Sequence, residues 1–209
     1  MTVASHTEAS DLVGQARVWE REAREEWASV ASFIQLALEL HGTGAPVDLV
    51  KRALRSAREE VGHALLCRAM AEKYAGRRVA LNTLGFAPRP ALPGASALQR
   101  LALESAVDGW VGESAAVVRA QASAERALDP GEQAIHTRIA KEELRHAHLG
   151  ADILRWAAYA GGEPVRSAVR RGFDAAWSAE APVSELEGRP TWSEHRQREN
   201  ARREVLSSL

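Results

Sequence analysis

Apolar positions recur along the first part of the chain in alternating steps of four and three. Trp19, Ala23, Glu26, Val30, Phe33, Ala37 and Leu40 share one stripe, which predicts a core-facing helix from about Asp11 to Leu40. A glutamate, Glu26, occupies a core register within it. The run His41-Gly42-Thr43-Gly44-Ala45-Pro46 ends that helix with glycines and opens the next with proline. A second stripe, Leu49, Ala53, Ser56, Glu60, His63, Cys67, Met70 and Tyr74, predicts a helix over Val47 to Tyr74 that Gly76 closes. From Arg77 to Ala97 every period is lost to Gly85, Pro88, Pro90, Pro93 and Gly94. A connection of about twenty residues inside a compact domain is ordinarily functional or a crossover.

A third helix is predicted from Ser96 to about Leu128, with Ala102, Ala106, Gly109, Glu113, Ala116 and Ala120 on one face. Asp129-Pro130-Gly131 turns the chain into a fourth helix reaching about Ala160, striped by His136, Ile139, Glu143, His146, Gly150, Ile153 and Ala157. Gly161-Gly162-Glu163-Pro164 breaks it before a shorter fifth helix, about Val165 to Ser178. The tail beyond Pro182 is polar and is expected on the surface, with Thr191 and Glu194 as a capping box for a last helix ending near Leu206. Its Arg196, Arg198, Arg202 and Arg203 read as a solvated face. The organisation expected is one helical domain over residues 1–180, with its core at 11–160, and a tail over 181–209. The small residues facing inward on the third helix, with Gly150 on the fourth, either let the helices approach closely or leave a cavity.

Composition agrees with helices. Hydrophobic residues make up 45% of the chain but aromatic ones only 5%, so the core is built from Ala, Leu and Val. With 27 basic and 28 acidic residues the net charge is −1, which gives no global attraction to nucleic acid or to an anionic membrane. The single cysteine, Cys67, excludes an internal disulfide and any multi-cysteine zinc or iron–sulfur site. No run approaches the roughly eighteen apolar residues of a membrane span, and Met1 to Asp11 has no apolar core of a signal peptide. A soluble cytoplasmic protein is expected.

The candidate chemistry lies in two short echoes. Glu60-Val61-Gly62-His63 and Glu143-Leu144-Arg145-His146 both read Glu-x-x-His, and i,i+3 spacing brings both side chains to one helix face. The surrounding residues repeat as well, Glu59-Glu60-Val61-Gly62-His63-Ala64 against Glu142-Glu143-Leu144-Arg145-His146-Ala147. If the first two helices are antiparallel about Thr43/Gly44, Glu26 falls beside position 61. If the last two are antiparallel about Asp129/Pro130, Glu143 and His146 fall beside positions 113 to 116, and position 113 is a glutamate. Four glutamates and two histidines then sit at one depth. As bare charges in a core they are severely destabilising, and metal ions are the ordinary compensation.

One Glu from each of two helices plus Glu-x-x-His from two others is the ligand set of the ferritin-like di-iron carboxylate proteins, and residues 11 to about 160 resemble that superfamily. Glu26-Trp27-Ala28-Ser29-Val30-Ala31, Gly44-Ala45-Pro46 and Gly112-Glu113 are similar to a group of small bacterial members of largely unassigned activity. The resemblance implies an all-α ferritin-like four-helix bundle with one long crossover, extended by a fifth helix and a tail. It implies metal ligands at Glu26, Glu60, His63, Glu113, Glu143 and His146, with Glu60 and Glu143 bridging two iron ions; manganese or a mixed pair suits the same donors. The expected activity is oxidation or oxygenation of a small molecule by dioxygen, with an external electron donor, in a monomer or homodimer that engages neither nucleic acid nor membrane. Iron storage and peroxide scavenging are the alternatives. The scavenging reading lacks a second glutamate one turn from Glu113, where Trp110 and Ala116 stand. Among neighbouring residues, Glu25 competes with Glu26. Glu22, Glu59 and Glu142 are accessory or surface carboxylates, and Asp108 lies off the face. His136 is read as a core histidine and His148 as pointing elsewhere. Cys67, Trp27 and Trp110 are read as packing residues.

Overall fold

In the computed structural model, the backbone of residues 3–82, 94–179, 192–207 and 209 is described, and side chains at 12–82, 94–173, 199–207 and 209. The described residues form helices and no strands: α1 (Val3–Gly42), α2 (Val47–Ala75), α3 (Ala97–Glu104), a π-helical segment (Ser105–Gly112), α4 (Glu113–Arg126), α5 (Pro130–Ala179) and α6 (Trp192–Ser207). The protein is therefore all-α. No helix among the described residues is long and apolar enough to cross a membrane. The central part of the 77–97 connection and the Thr191/Glu194 capping box lie outside the described residues.

The chain divides into two compact units. Unit 1 comprises Met1–Gln35 and Ala53–Pro88, and unit 2 comprises Leu36–Arg52 and Arg89–Leu209. In unit 1, the α1 stripe buries Trp19, Ala23 and Phe33, and the α2 stripe buries Ala53, Ala64, Cys67 and Met70. The segment after α2 folds back onto α1 through Arg77, which donates to Glu20 at 2.6 Å while Glu20 also accepts from Arg24 at 3.1 Å. The amide of Val79 donates to the Glu72 carboxylate at 3.1 Å, and the Val79 side chain is buried. α1 starts at Val3, ahead of the Asp11 start that the apolar stripe predicts. Extending an existing helix adds a hydrogen bond per residue without a new nucleus, so it needs no core-facing positions.

Unit 2 opens with the turn joining α1 to α2. Gly44 adopts φ +73°, and the amides of Thr43 and Ala45 return to the carbonyls of Glu39 and Leu40 at 2.9 and 3.0 Å. Ser96 and Gln99 make reciprocal capping bonds at the start of α3. Asp129 caps α5, its carboxylate accepting from the amides of Gly131 and Glu132 at 2.7 and 3.2 Å, with Pro130 in the first helical position. α5 is broken where the sequence breaks it: Gly162 has φ +59° and ψ −151°, and Pro164 follows. Two side chains satisfy carbonyls around this break, Arg166 donating to Ala158 at 3.1 Å and Gln99 to Pro164 at 3.0 Å. The core of unit 2 gathers Ala102, Ala106, Trp110, Val111, Leu154, Val169 and Phe173, together with Ala201 and Val205 of α6. The C-terminal helix, expected as part of a surface tail, thus places two apolar residues in that core among the polar positions around them.

The third helix departs from uniform α geometry. Its buried positions are Leu101 and Ala102, Ser105 and Ala106, Trp110 and Val111, then Ser114 and Ala115. The steps are four, five and four. The step of five falls in the π segment, whose i→i+5 bonding holds one more residue per turn than an α-helix. A constant α period from Ala102 through Gly109 to Glu113 therefore holds only as far as Ala106, and Glu113 comes to the flank of the buried face, half-buried.

Gly162 occupies backbone space that is essentially reserved for glycine. Gly162→Ala is expected to cost about 1–3 kcal/mol, measured as a lower urea midpoint at unchanged m-value.

Candidate metal centre

Unit 1 brings together Glu26 from the middle of α1 and Glu60 and His63 from the middle of α2. The i,i+3 spacing puts Glu60 and His63 on the inward face of their helix, and both are buried, at 1% and 0% exposure. His63 Nδ1 lies 3.3 Å from Glu26 Oε2 and 3.6 Å from Glu60 Oε2. One ligand atom from each of the three lies within 4.8 Å of the others. Cys67, one turn beyond His63, is buried beside them. Burial pushes its thiol well above the ordinary range, and the carboxylates of Glu26, Glu22 and Glu60 push it the same way. The thiol stays protonated and acts as a small packing group, and Glu22 faces the same region of the unit.

Unit 2 contains the second triad. Glu143 and His146 sit in the middle of α5, 3% and 1% exposed, with His146 Nδ1 3.1 Å from Glu143 Oε2. Glu113, the first residue of α4, completes it, again with ligand atoms within 4.8 Å of one another. The Glu113 amide donates to the carbonyls of Asp108, five residues back, and Trp110, three back, so the π bonding reaches Glu113 itself.

Both triads have the same charge arithmetic. Two carboxylates against one imidazole leave a buried negative charge even when the imidazole is protonated. A divalent cation with a neutral imidazole balances it. Oxygen and imidazole donors without thiolate suit iron, manganese or zinc, so the residues present fit a metal.

The competing positions separate by exposure and partner. Glu25 is solvent-facing, its side chain 68% exposed, and pairs with Arg21 at 3.7 Å. Glu59 is held by Arg55 at 2.9 Å, and Glu142 by Arg145 and Arg138 at 3.3 and 3.4 Å. Asp108 and His148 are exposed, and Trp27 is half-buried. Trp110 is buried, with the Arg155 guanidinium 5.6 Å from its ring centre. His136 is a buried core histidine. Helical periodicity does not reveal the π turn beside Glu113; in the structure Trp110 and Val111 are buried where a constant period expects 109 and 113.

The chain matches no protein-family model, no curated protein and no solved structure.

Burial lowers the pKa of His136 from its ordinary 6.5, with Arg126 acting in the same direction and Glu132 opposing. The unfolded chain then binds more protons than the folded one just below pH 6.5, so stability falls as pH falls through that window. In His136→Leu this loss is expected to be smaller, read as a flatter dependence of the urea midpoint on pH between about 5 and 7.

Proposed function

We propose that this chain is a ferritin-like four-helix protein with a di-iron carboxylate centre, an oxidoreductase that uses dioxygen to oxidise or oxygenate a small molecule. The observation that carries the proposal is the pair of triads, Glu26/Glu60/His63 and Glu113/Glu143/His146, each made of one half-buried lone Glu and one buried Glu-x-x-His. The step from two triads to one dinuclear centre rests on the sequence, where the two Glu-x-x-His motifs are equivalent and the antiparallel registers set all six residues at one depth. On this reading Glu26, Glu60, Glu113 and Glu143 would supply the carboxylates, and His63 and His146 the imidazoles, that hold the metal pair.

When bound, the metal pair supplies the electron-transfer chemistry with dioxygen that no side chain here provides. The chain's own residues bind, orient and exclude competitors. Burial of His63 and His146 keeps water from their rings. The ion pairs on Glu59 and Glu142 hold the carboxylates next to the motif glutamates away from the metals. The oxidase reading is favoured over storage because α6 packs on α4 and the π segment in unit 2, adding material that a self-assembling shell does not need.

Elemental analysis of protein expressed with iron and purified without chelator is expected to give about two irons per chain, in a monomer or dimer by native mass. Glu60→Ala and Glu143→Ala each lose most of that metal, whereas Glu25→Ala keeps it. Full retention in both Glu60→Ala and Glu143→Ala overturns the site. A large particle holding many irons per chain makes the protein a store instead. Mössbauer spectra showing two uncoupled irons would break the dinuclear assignment while leaving two metal sites.

A further inference from the structure

The third helix and α5 meet through glycines on both sides. Gly109, inside the π segment, and Gly150, one turn after His146, touch backbone to backbone. A Cβ on Gly150 would overlap the Gly109 carbonyl carbon and lie 2.6 Å from the Gly109 oxygen and 2.7 Å from the Trp110 nitrogen. A Cβ on Gly109 would lie 3.2 Å from the Gly150 Cα. The obstacles at Gly150 are backbone atoms, which no rotamer change can move aside. Of the two expectations for these small residues, close approach or cavity, the contact realises close approach at this point.

The same contact is tied to the ligand. In an α-helix the Glu113 amide would bond to the carbonyl of Gly109, four residues back. Here it is shared between the carbonyls of Asp108 and Trp110, and the Gly109 carbonyl lies against Gly150. The π turn, the glycine contact and the direction in which α4 leaves with Glu113 are one arrangement. On the α5 side, Arg155 over the Trp110 ring reinforces it.

We propose that Gly150 and Gly109 are positioning residues for the second triad: their side-chain-free contact seats the π segment on α5 so that Glu113 is carried to Glu143 and His146. This rests on the metal reading above. Neither glycine supplies a ligand atom, and both act through Glu113. A Cβ at 150 pushes the π segment outward and moves Glu113 with it, and supporting groups of this kind typically control metal affinity by about 10- to 100-fold.

The test is Mn(II) titration of the metal-free full chain, followed by calorimetry and by the EPR signal of unbound Mn(II). Wild type is expected to take up two ions. Gly150→Ala is expected to weaken one of the two sites by about tenfold or more and leave the other unchanged. Gly109→Ala, with the milder contact, shifts the same site in the same direction by less and serves if Gly150→Ala does not fold. Gly172→Ala is the control for mere packing damage, because the nearest atoms its Cβ meets belong to the Leu103 side chain rather than to backbone; it keeps both sites whatever it does to the melting temperature. In the Glu113→Ala background, Gly150→Ala should weaken metal binding no further, an epistasis that a purely structural role does not produce. Two unchanged sites in folded Gly150→Ala and Gly109→Ala overturn the inference and leave the metal reading intact. A wild type that binds no Mn(II) or Fe(II) overturns both.

Discussion

Carboxylates taken out of water must be compensated, and that constraint organises this chain. Glu60 and Glu143 are almost wholly buried in the middle of long helices, where an uncompensated carboxylate costs several kcal/mol. Histidines three residues on, at 3.1 and 3.6 Å, share the helix face but supply at most one positive charge per triad. Each triad is therefore a group that could hold a divalent cation, whose binding would stabilise the fold. Much of the nearby structure keeps other charges out of this balance: Arg55 takes Glu59, Arg145 and Arg138 take Glu142, and the Cys67 thiol stays neutral.

The helices that carry Glu-x-x-His are the ones most legible in the sequence. Every stripe position expected on α2 from Leu49 to Met70, and every one on the fourth helix from His136 to Ala157, is buried. Strict α periodicity places inward residues well when each turn is the same, and the break at Gly161 to Pro164 is written in residues whose backbone preferences are unambiguous. The third helix was readable only to Ala106. Beyond it the burial pattern gains a residue, because packing of Gly109 on Gly150 and of Trp110 under Arg155 prevails over the local α preference. The C-terminal helix is less legible for a related reason: Ala201 and Val205 are too few to form a visible stripe among Arg and Glu, yet both are buried in the unit 2 core.

The site was legible as a set of residue types at particular helix depths. The two triads belong to different compact units. The repeat between the motifs extends this equivalence to their flanking residues, with Glu59 and Glu142 each neutralised by an arginine on its own helix. Both halves therefore share one local pattern, in which the outer glutamate pairs with arginines on its own helix and the inner one is buried beside a histidine.

The π segment also carries a consequence for ancestry. A helix that needs five residues where four would complete the turn holds one residue more than a plain α-helix of the same span. A relative whose third helix is α throughout would be one residue shorter between positions 105 and 112. Aligned without a gap from the N-terminal side of that segment, such a chain would set the corresponding glutamate against Gly112 rather than Glu113. The kinship would then be hidden at the one position in that helix where the chemistry is kept.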